Sequence, residues 1–256
     1  MKKTLVVGLA LGFVLAAGSA MAGTIVGSAH DLSDGVGGTQ EPLDVNAGNQ
    51  ARICVFCHTP HFSVKPTSQD AGSRLAYSPL WNKDLSTYTS AEWTLYDNGT
   101  PEAGTDSRHQ LNADLDVPSS TSMLCLSCHD GSIALNAYGN QSEGSIPGYK
   151  ASGTTDITDY AASKQVGLGG DLSNHHPVEF DYVAARANDP ELAAVSTEFK
   201  DAAGLDNGIT IQSVLVDGTY FTCGSCHDVH NTQADGPMFI WGDNTRSRFC
   251  LACHVK

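Results

Sequence analysis

The sequence has no cysteine outside four short motifs, few aromatic residues (7%), and half as many basic as acidic residues, 14 Lys and Arg against 28 Asp and Glu. The resulting net charge of −14 makes nucleic acid and anionic membrane surfaces poor partners for this chain. The sequence also lacks any apolar run of the roughly 18 residues that a membrane-spanning helix needs. It therefore predicts neither nucleic-acid binding nor a membrane span.

The N-terminus combines three features that are typical of a secretory signal peptide. Two lysines precede an apolar run from Leu5 to Ala17, and Ala20-Met21-Ala22 provides small residues in the pattern of a cleavage site. The apolar run is too short to cross a bilayer. We therefore predict that residues 1–22 are a signal peptide and that residues 23–256 are exported, to the periplasm or to the extracellular cell surface.

All eight cysteines belong to four copies of one pattern, C-x-x-C-H. The copies are Cys54-Val-Phe-Cys57-His58, Cys125-Leu-Ser-Cys128-His129, Cys223-Gly-Ser-Cys226-His227 and Cys250-Leu-Ala-Cys253-His254. This is the attachment signature of c-type haem, in which both thiols bond to the haem vinyl groups. The histidine that follows is placed to ligate the iron from the proximal side. The sequence thus predicts four covalent haem c groups.

Other uses of these cysteines explain the pattern less well. Four disulfides would be usual for eight cysteines in an exported protein, but they need no histidine after each pair. A zinc site with two C-x-x-C pairs has no such need either. A redox-active C-x-x-C is expected once, within a strand-helix-strand unit that the sequence does not contain.

Six histidines remain as candidates for the distal side of the four irons: His30, His61, His109, His175, His176 and His230. Methionine, the other common distal ligand, remains in residues 23–256 only as Met123 and Met238. Met123 lies two residues before Cys125, on the proximal side of its own haem. We therefore expect bis-histidine ligation of low-spin iron at all four sites.

Two of these candidates follow a motif histidine by three residues, His61 after His58 and His230 after His227. Three residues of helix advance the chain by about 4.5 Å, too little to reach the far face of the same haem. Each should therefore ligate a neighbouring haem. The predicted distal ligands are drawn from His30, His61, His175, His176 and His230, with the choice between the adjacent His175 and His176 left open.

The stretches between the motifs are rich in Gly, Ser, Asn and Asp and have little helical periodicity, so the polypeptide alone would bury only a small core. Four large apolar macrocycles would supply the missing interior. We expect a multihaem cytochrome c fold with low regular secondary structure, in which short helices and small hairpins wrap around a stack of four haems. Residues 23–256 form one tetrahaem domain or two dihaem units, about 23–145 and 146–256.

Regular elements are predicted at only a few places. Short helices are expected around each motif. Asp189 as N-cap, Pro190 at the first helical position and an apolar stripe predict an amphipathic helix over residues 189–204. Residues 214–221, centred on Asp217-Gly218, predict a hairpin that leads into the third motif.

Several short blocks give the chain a family resemblance. They are Ser28-Ala-His30-Asp-Leu, Cys54-Val-Phe-Cys57-His58-Thr-Pro-His61, Pro79-Leu-Trp81-Asn82, Cys125-Leu-Ser-Cys128-His129-Asp-Gly131, His176-Pro-Val-Glu-Phe180 and Cys223-Gly-Ser-Cys226-His227-Asp-Val-His230. With these blocks, most of residues 23–256 resembles bacterial multihaem cytochromes of the doubled C-x-x-C-H type. The resemblance is strongest to the tetrahaem OmcE-like cytochromes, which polymerise into extracellular filaments.

The resemblance implies electron transfer along a continuous stack of haems. In such filaments a histidine of one subunit ligates a terminal haem of the next, and His30 is the expected donor here. The expected partners are further copies of the chain, other cytochromes and extracellular electron acceptors. The alternative is a soluble periplasmic electron shuttle with the same haems. A multihaem reductase would need an iron with an open coordination site, and the chain has enough histidines to close all four, so we expect an electron carrier and not an enzyme.

The first prediction concerns mass. The exported, matured protein should weigh four haem groups more than its amino acids, because each motif forms two thioether bonds that survive denaturation. Intact mass spectrometry of the denatured protein measures this directly. A mass equal to that of the polypeptide would refute every assignment above.

Overall fold

The computed structural model describes residues 25–26, 28–33, 53–61, 63, 80–83, 94, 121–138, 157–160, 162–230 and 238–255. All eight cysteines and nine of the ten histidines fall within these ranges. The predicted signal peptide, residues 1–22, and His109 lie outside the described residues.

The described elements are short. The α-helices are α1 (Ser122–His129), α2 (Tyr182–Asn188), α3 (Ile211–Val214), α4 (Cys223–Cys226) and α5 (Arg248–Cys253). The strands are β1 (Phe180–Asp181), β2 (Glu198–Lys200), β3 (Asp206–Thr210) and β4 (Tyr220–Phe221). Turns of 3-10 helix span Ile53–Phe56, Ile157–Asp159, Ala162–Lys164, Leu168–Gly170 and Thr245–Ser247. Strands β1 and β4 form one antiparallel pair, and β2 and β3 form another.

Each C-x-x-C-H motif begins in a short helix, as expected from the sequence. The first motif begins in the 3-10 turn Ile53–Phe56, the second lies in α1, the third in α4 and the fourth in α5. The third helix starts with a capping box between Thr222 and Ser225, which satisfies backbone N–H groups at the helix start.

Two apolar clusters hold the described chain together, and each contains cysteines from two motifs. The first cluster is built from Leu32, Val55, Phe56, Leu135, Tyr138 and Ile157, with Cys57 and Cys128 packed against it. The second is built from Tyr182, Ala193, Phe199, Ile211, Leu215, Phe221 and Ala252, with Cys226 and Cys253 packed against it. The division into two dihaem units near residue 145 stays a prediction.

The helix predicted over residues 189–204 is wrong. The carboxylate of Asp189 accepts a hydrogen bond from the backbone of Glu191 at 2.9 Å and forms a local turn. Leu192 then pairs with His254 in an antiparallel bridge, and residues 198–200 form strand β2. Backbone pairing with other segments therefore outweighs the local helical pattern. The helix of this region is α2, which begins after Asp181, whose side chain accepts a hydrogen bond from Ala184 N–H at 2.8 Å.

The hairpin predicted over residues 214–221 is correct at its turn. Asp217 and Gly218 both have positive φ, 52° and 66°, and with Thr219 they form a three-residue loop in which Thr219 N–H donates to Val216 O at 3.0 Å. Val216 and Tyr220 form the closing antiparallel bridge. The first arm is shorter than expected because Ile211–Val214 is helical, and β4 pairs instead with β1, with Phe180 opposite Phe221.

Within the described residues, no helix has the length and apolar character needed to cross a membrane.

Candidate metal centres

Each motif folds as a helical turn that carries two thiols and one imidazole. The histidine N–H donates to the carbonyl of the first cysteine in three motifs, His58 to Cys54 at 2.7 Å, His227 to Cys223 at 3.0 Å and His254 to Cys250 at 3.0 Å. In the second motif all three residues lie within α1, which ends at His129. Because positions i, i+3 and i+4 share one helix face, the turn presents both sulfurs and the imidazole to the same side.

A second segment of chain fastens the backbone of each motif histidine. Antiparallel bridges join His58 to Trp81, His227 to Ile240 and His254 to Leu192. The carbonyl of His129 accepts a hydrogen bond from Val166 N–H at 2.9 Å. Three of these four partners are more than 20 residues away in sequence. The position of most of these imidazoles therefore depends on tertiary contacts as well as on the motif itself.

The fastening segments of the first and third motifs have the same hydrogen-bond pattern. The carbonyl of Leu80 accepts from Thr59 N–H at 2.8 Å, and that of Phe239 accepts from Asp228 N–H at 2.5 Å. Leu80 and Phe239 are both left-handed, with φ of 57° and 53°, a conformation that bulky residues rarely adopt.

The correspondence continues two residues further along each segment. Asn82 N–H donates to Cys57 O at 2.8 Å, and Trp241 N–H donates to Cys226 O at 3.3 Å. The chain thus contains two structurally equivalent units, and in each the motif continues as C-x-x-C-H-x-x-H.

In three histidines, Nδ1 lies within hydrogen-bond distance of a backbone carbonyl. The Nδ1 atom of His129 lies 2.7 Å from Lys164 O, that of His227 lies 2.8 Å from Met238 O, and that of His176 lies 2.8 Å from Pro177 O. A carbonyl in this position accepts the Nδ1 proton and leaves the lone pair on Nε2. Metal-ligating histidines usually have such a partner, so these three imidazoles are prepared to bind through Nε2.

Three motif histidines each face a second histidine at nearly one distance. Ring centres are 6.2 Å apart for His58 and His230, 6.1 Å for His129 and His30, and 6.2 Å for His254 and His176. Two imidazoles on opposite sides of one iron have ring centres roughly 6 Å apart, since each metal–nitrogen bond is about 2 Å and each ring centre lies about 1 Å behind its nitrogen. The three separations fit this arrangement.

These residues suit a haem better than a bare metal ion. Among the described residues, no three His, Cys, Asp or Glu side chains converge on a point that could hold an ion. A haem brings its own four equatorial nitrogens and needs only two axial ligands from the protein. The donor set, which consists of paired imidazoles beside paired thiols, fits that requirement.

His30, the histidine expected to ligate a neighbouring subunit, packs against its own chain in this structure, and its role between subunits stays a prediction. Its ring faces His129 of the same chain and stacks on Phe239 with ring centres 4.9 Å apart. Its Nδ1 lies 3.4 Å from Val229 O. Burial, together with the smaller effect of the adjacent His129, lowers the pKa of His30 to about 4. His30 is therefore a neutral imidazole held within its own chain, because apolar packing and a second histidine surround it.

Three histidines have no described histidine ring facing them: His61, His175 and His227. The ring of His227 is exposed and is the one motif imidazole without such a partner. His61 is also exposed. All nine predicted iron ligands are described. The structure places six of them in facing pairs, and the other three face no described histidine. It also favours His176 over His175 as the partner of His254.

Several of the partly buried cysteine thiols are hard to ionise. Burial raises the pKa of Cys57 to about 12, that of Cys226 to about 12 and that of Cys253 to about 11. A hydrogen bond between Cys125 and Cys223 raises the pKa of Cys125 and lowers that of Cys223. Redox-active C-x-x-C pairs depend on a thiolate of depressed pKa, so the raised values disfavour that chemistry at three of the four motifs.

The third motif lies next to each of the others. Cys223 is hydrogen-bonded to Cys125 of the second motif, and its N–H donates to Ser122 Oγ at 3.0 Å. Cys226 shares an apolar cluster with Cys253 of the fourth. His230, three residues beyond the third motif, faces His58 of the first. The third motif therefore has contacts with all three of the others.

The fastening segments could not be found from the sequence. Their contribution is made by backbone carbonyls, such as Lys164 O and Met238 O, which every residue type supplies equally. The left-handed Leu80 and Phe239 have no sequence signal either, because bulky residues seldom adopt that conformation.

No protein-family model matches this chain, and no curated protein is similar enough to count as a relative.

The second prediction separates two adjacent histidines. His176→Ala should convert about a quarter of the iron to the high-spin form, because it removes one of two axial ligands from one of four sites. The matched variant His175→Ala should leave the isolated chain low-spin. Electron paramagnetic resonance and visible absorption of the oxidised proteins distinguish the two forms. High-spin signal in His175→Ala with none in His176→Ala would reverse the assignment.

Proposed function

We propose that this protein is an exported electron carrier with four covalently bound haem c groups and bis-histidine iron. The observation that carries the proposal is the pairing of His58, His129 and His254 with a second histidine at 6.1–6.2 Å, each beside its own pair of thiols. When bound, haem supplies a reversible one-electron change at iron. Two imidazoles would ligate each iron and would leave no position open to a substrate, so we propose an electron carrier and not an enzyme.

The protein residues have three roles in this proposal. The cysteines of each motif bind the cofactor covalently and fix its orientation relative to the helical turn. The carbonyls of Lys164 and Met238 hold the Nδ1 protons of His129 and His227, which orients those rings. The apolar clusters around Phe56 and Phe199 exclude water from the cofactor edges. Fixed ligands and a dry site reduce the rearrangement that accompanies a change of iron charge.

For the remaining iron, which belongs to the third motif, we propose that His61 is the second ligand opposite His227. The first and third motifs are equivalent units, and in the third unit the second histidine, His230, faces the motif histidine of the first. The equivalent position in the first unit is His61. A reciprocal exchange would have each unit close the iron of the other.

The third prediction tests this exchange. His61→Ala should make one haem high-spin, and the affected haem should be the one attached at Cys223 and Cys226. Haem-resolved nuclear magnetic resonance of the oxidised protein identifies which site changes, with His175→Ala as the control. An unchanged spectrum would remove His61 from the ligands.

The finer proposal is a polymeric extracellular conduit, in which copies of the chain pass electrons to other cytochromes or to extracellular acceptors. It is supported by the resemblance of the motif blocks to filament-forming cytochromes. It is also supported by His175, a spare imidazole that no described histidine faces. The alternative is a soluble periplasmic shuttle. The intrachain pairing of His30, His176 and His230 favours that alternative, because it leaves few irons in need of a ligand from another copy.

The fourth prediction decides between these two. If the chain forms a conduit, the purified haem-loaded protein should form filaments at high concentration, visible by negative-stain electron microscopy. If His175 of one copy takes the place of His61 at the iron of His227 in the next copy, His175→Ala should weaken assembly while leaving four haems per chain. Discrete particles alone, at every concentration, would support the soluble shuttle.

A further inference from the structure

Lys83 is a buried cation whose ammonium group is fully used. Its side chain is 0% exposed. Its Nζ donates to three backbone carbonyls, Ala134 at 3.2 Å, Leu135 at 3.1 Å and Ala137 at 3.0 Å. A lysine ammonium has three N–H donors and no acceptor. The three carbonyls therefore provide one acceptor for each N–H of the charged side chain.

Lys83 lies between the first two motifs. Its own segment is bound to the first motif, since the preceding residue, Asn82, donates its N–H to Cys57 O. The turn that it contacts, residues 134–137, follows the second motif in the chain. Cys57 and Cys128 pack against the same apolar cluster as Leu135. Both attachment sites therefore share the environment of this charge.

Among the described residues, only backbone dipoles compensate the charge of Lys83. Within the part of the chain that the structure describes, no carboxylate forms an ion pair with Lys83. Carbonyl oxygens stabilise an ammonium but leave its net charge in place. In a buried site the field of that charge is screened far less than at the surface. Arg248 lies near the fourth motif, two residues before Cys250, but it is partly exposed and its charge is paired with Asp243 at 2.8 Å.

We propose that Lys83 raises the reduction potentials of the haems at the first two motifs above those at the third and fourth. Reduction adds one negative charge at the iron, and a fixed cation nearby stabilises the reduced state. The haems at the first two motifs would then be reduced before those at the third and fourth. This inference rests on the proposed haem function.

The test compares two variants of one residue. Lys83→Gln keeps hydrogen-bond donors for the carbonyls and removes the charge, whereas Lys83→Arg keeps the charge. In Lys83→Gln, spectroelectrochemical titration of the haem-loaded protein should show lower reduction potentials for one or two haems. At a fixed applied potential, the reduced-to-oxidised ratio of these haems should fall about tenfold, which is equivalent to a potential lowered by 59 mV for one electron. Lys83→Arg should retain the original potentials.

Lys200→Gln is the matched control, because it removes a lysine charge that is exposed and already paired with Asp206. It should shift no potential by a comparable amount. If Lys83→Gln retains four low-spin haems and its potentials equal those of the unmodified protein, the inference is wrong while the haem function stands. A protein without haem would instead overturn the proposed function.

The unmodified protein provides a second test that needs no variant to fold. In a stepwise reduction followed by haem-resolved nuclear magnetic resonance, the first haem to be reduced should be attached at Cys54 and Cys57 or at Cys125 and Cys128. First reduction at the third or fourth motif would overturn the inference.

Discussion

The arrangement of the candidate sites depends on one constraint, which is that a single helical turn must present two thiols and one imidazole to the same side. The i, i+3 and i+4 positions of a helix meet this condition, and the bond from the histidine N–H to the first cysteine carbonyl closes the turn in three motifs. Such a turn is too short to be stable alone. A second segment therefore binds each motif, and this requirement organises much of the described chain.

The second segments also explain how so little regular structure can position so many ligands. Backbone bridges at Trp81, Leu192 and Ile240 fix the motif histidines, and carbonyls fix the Nδ1 atoms of His129 and His227. Opposed imidazoles then come from segments far apart in sequence, such as His30 and His129. A cofactor bound between them would join these segments covalently and by coordination. In the proposed function the haems are therefore structural elements as well as redox centres.

The equivalence of the first and third motifs has a consequence for connectivity. Both units continue to a second histidine, and both are fastened by a left-handed residue, Leu80 or Phe239. His230 crosses from the third unit to the first, while Cys223 and Cys226 contact the second and fourth motifs.

The sequence by itself determined the chemistry of the candidate sites: the count of four, the cysteine pairs and the motif histidines follow from local spacing within one turn. It also predicted the short helices around the motifs and the turn at Asp217-Gly218, because these depend on neighbouring residues. It failed for residues 189–204, where pairing of Leu192 with His254 outweighs a helical pattern. Only the tertiary structure decided which distal histidine faces which motif, that His30 lies within its own chain, and that Lys83 is buried, because contacts between distant segments leave no local pattern in the sequence.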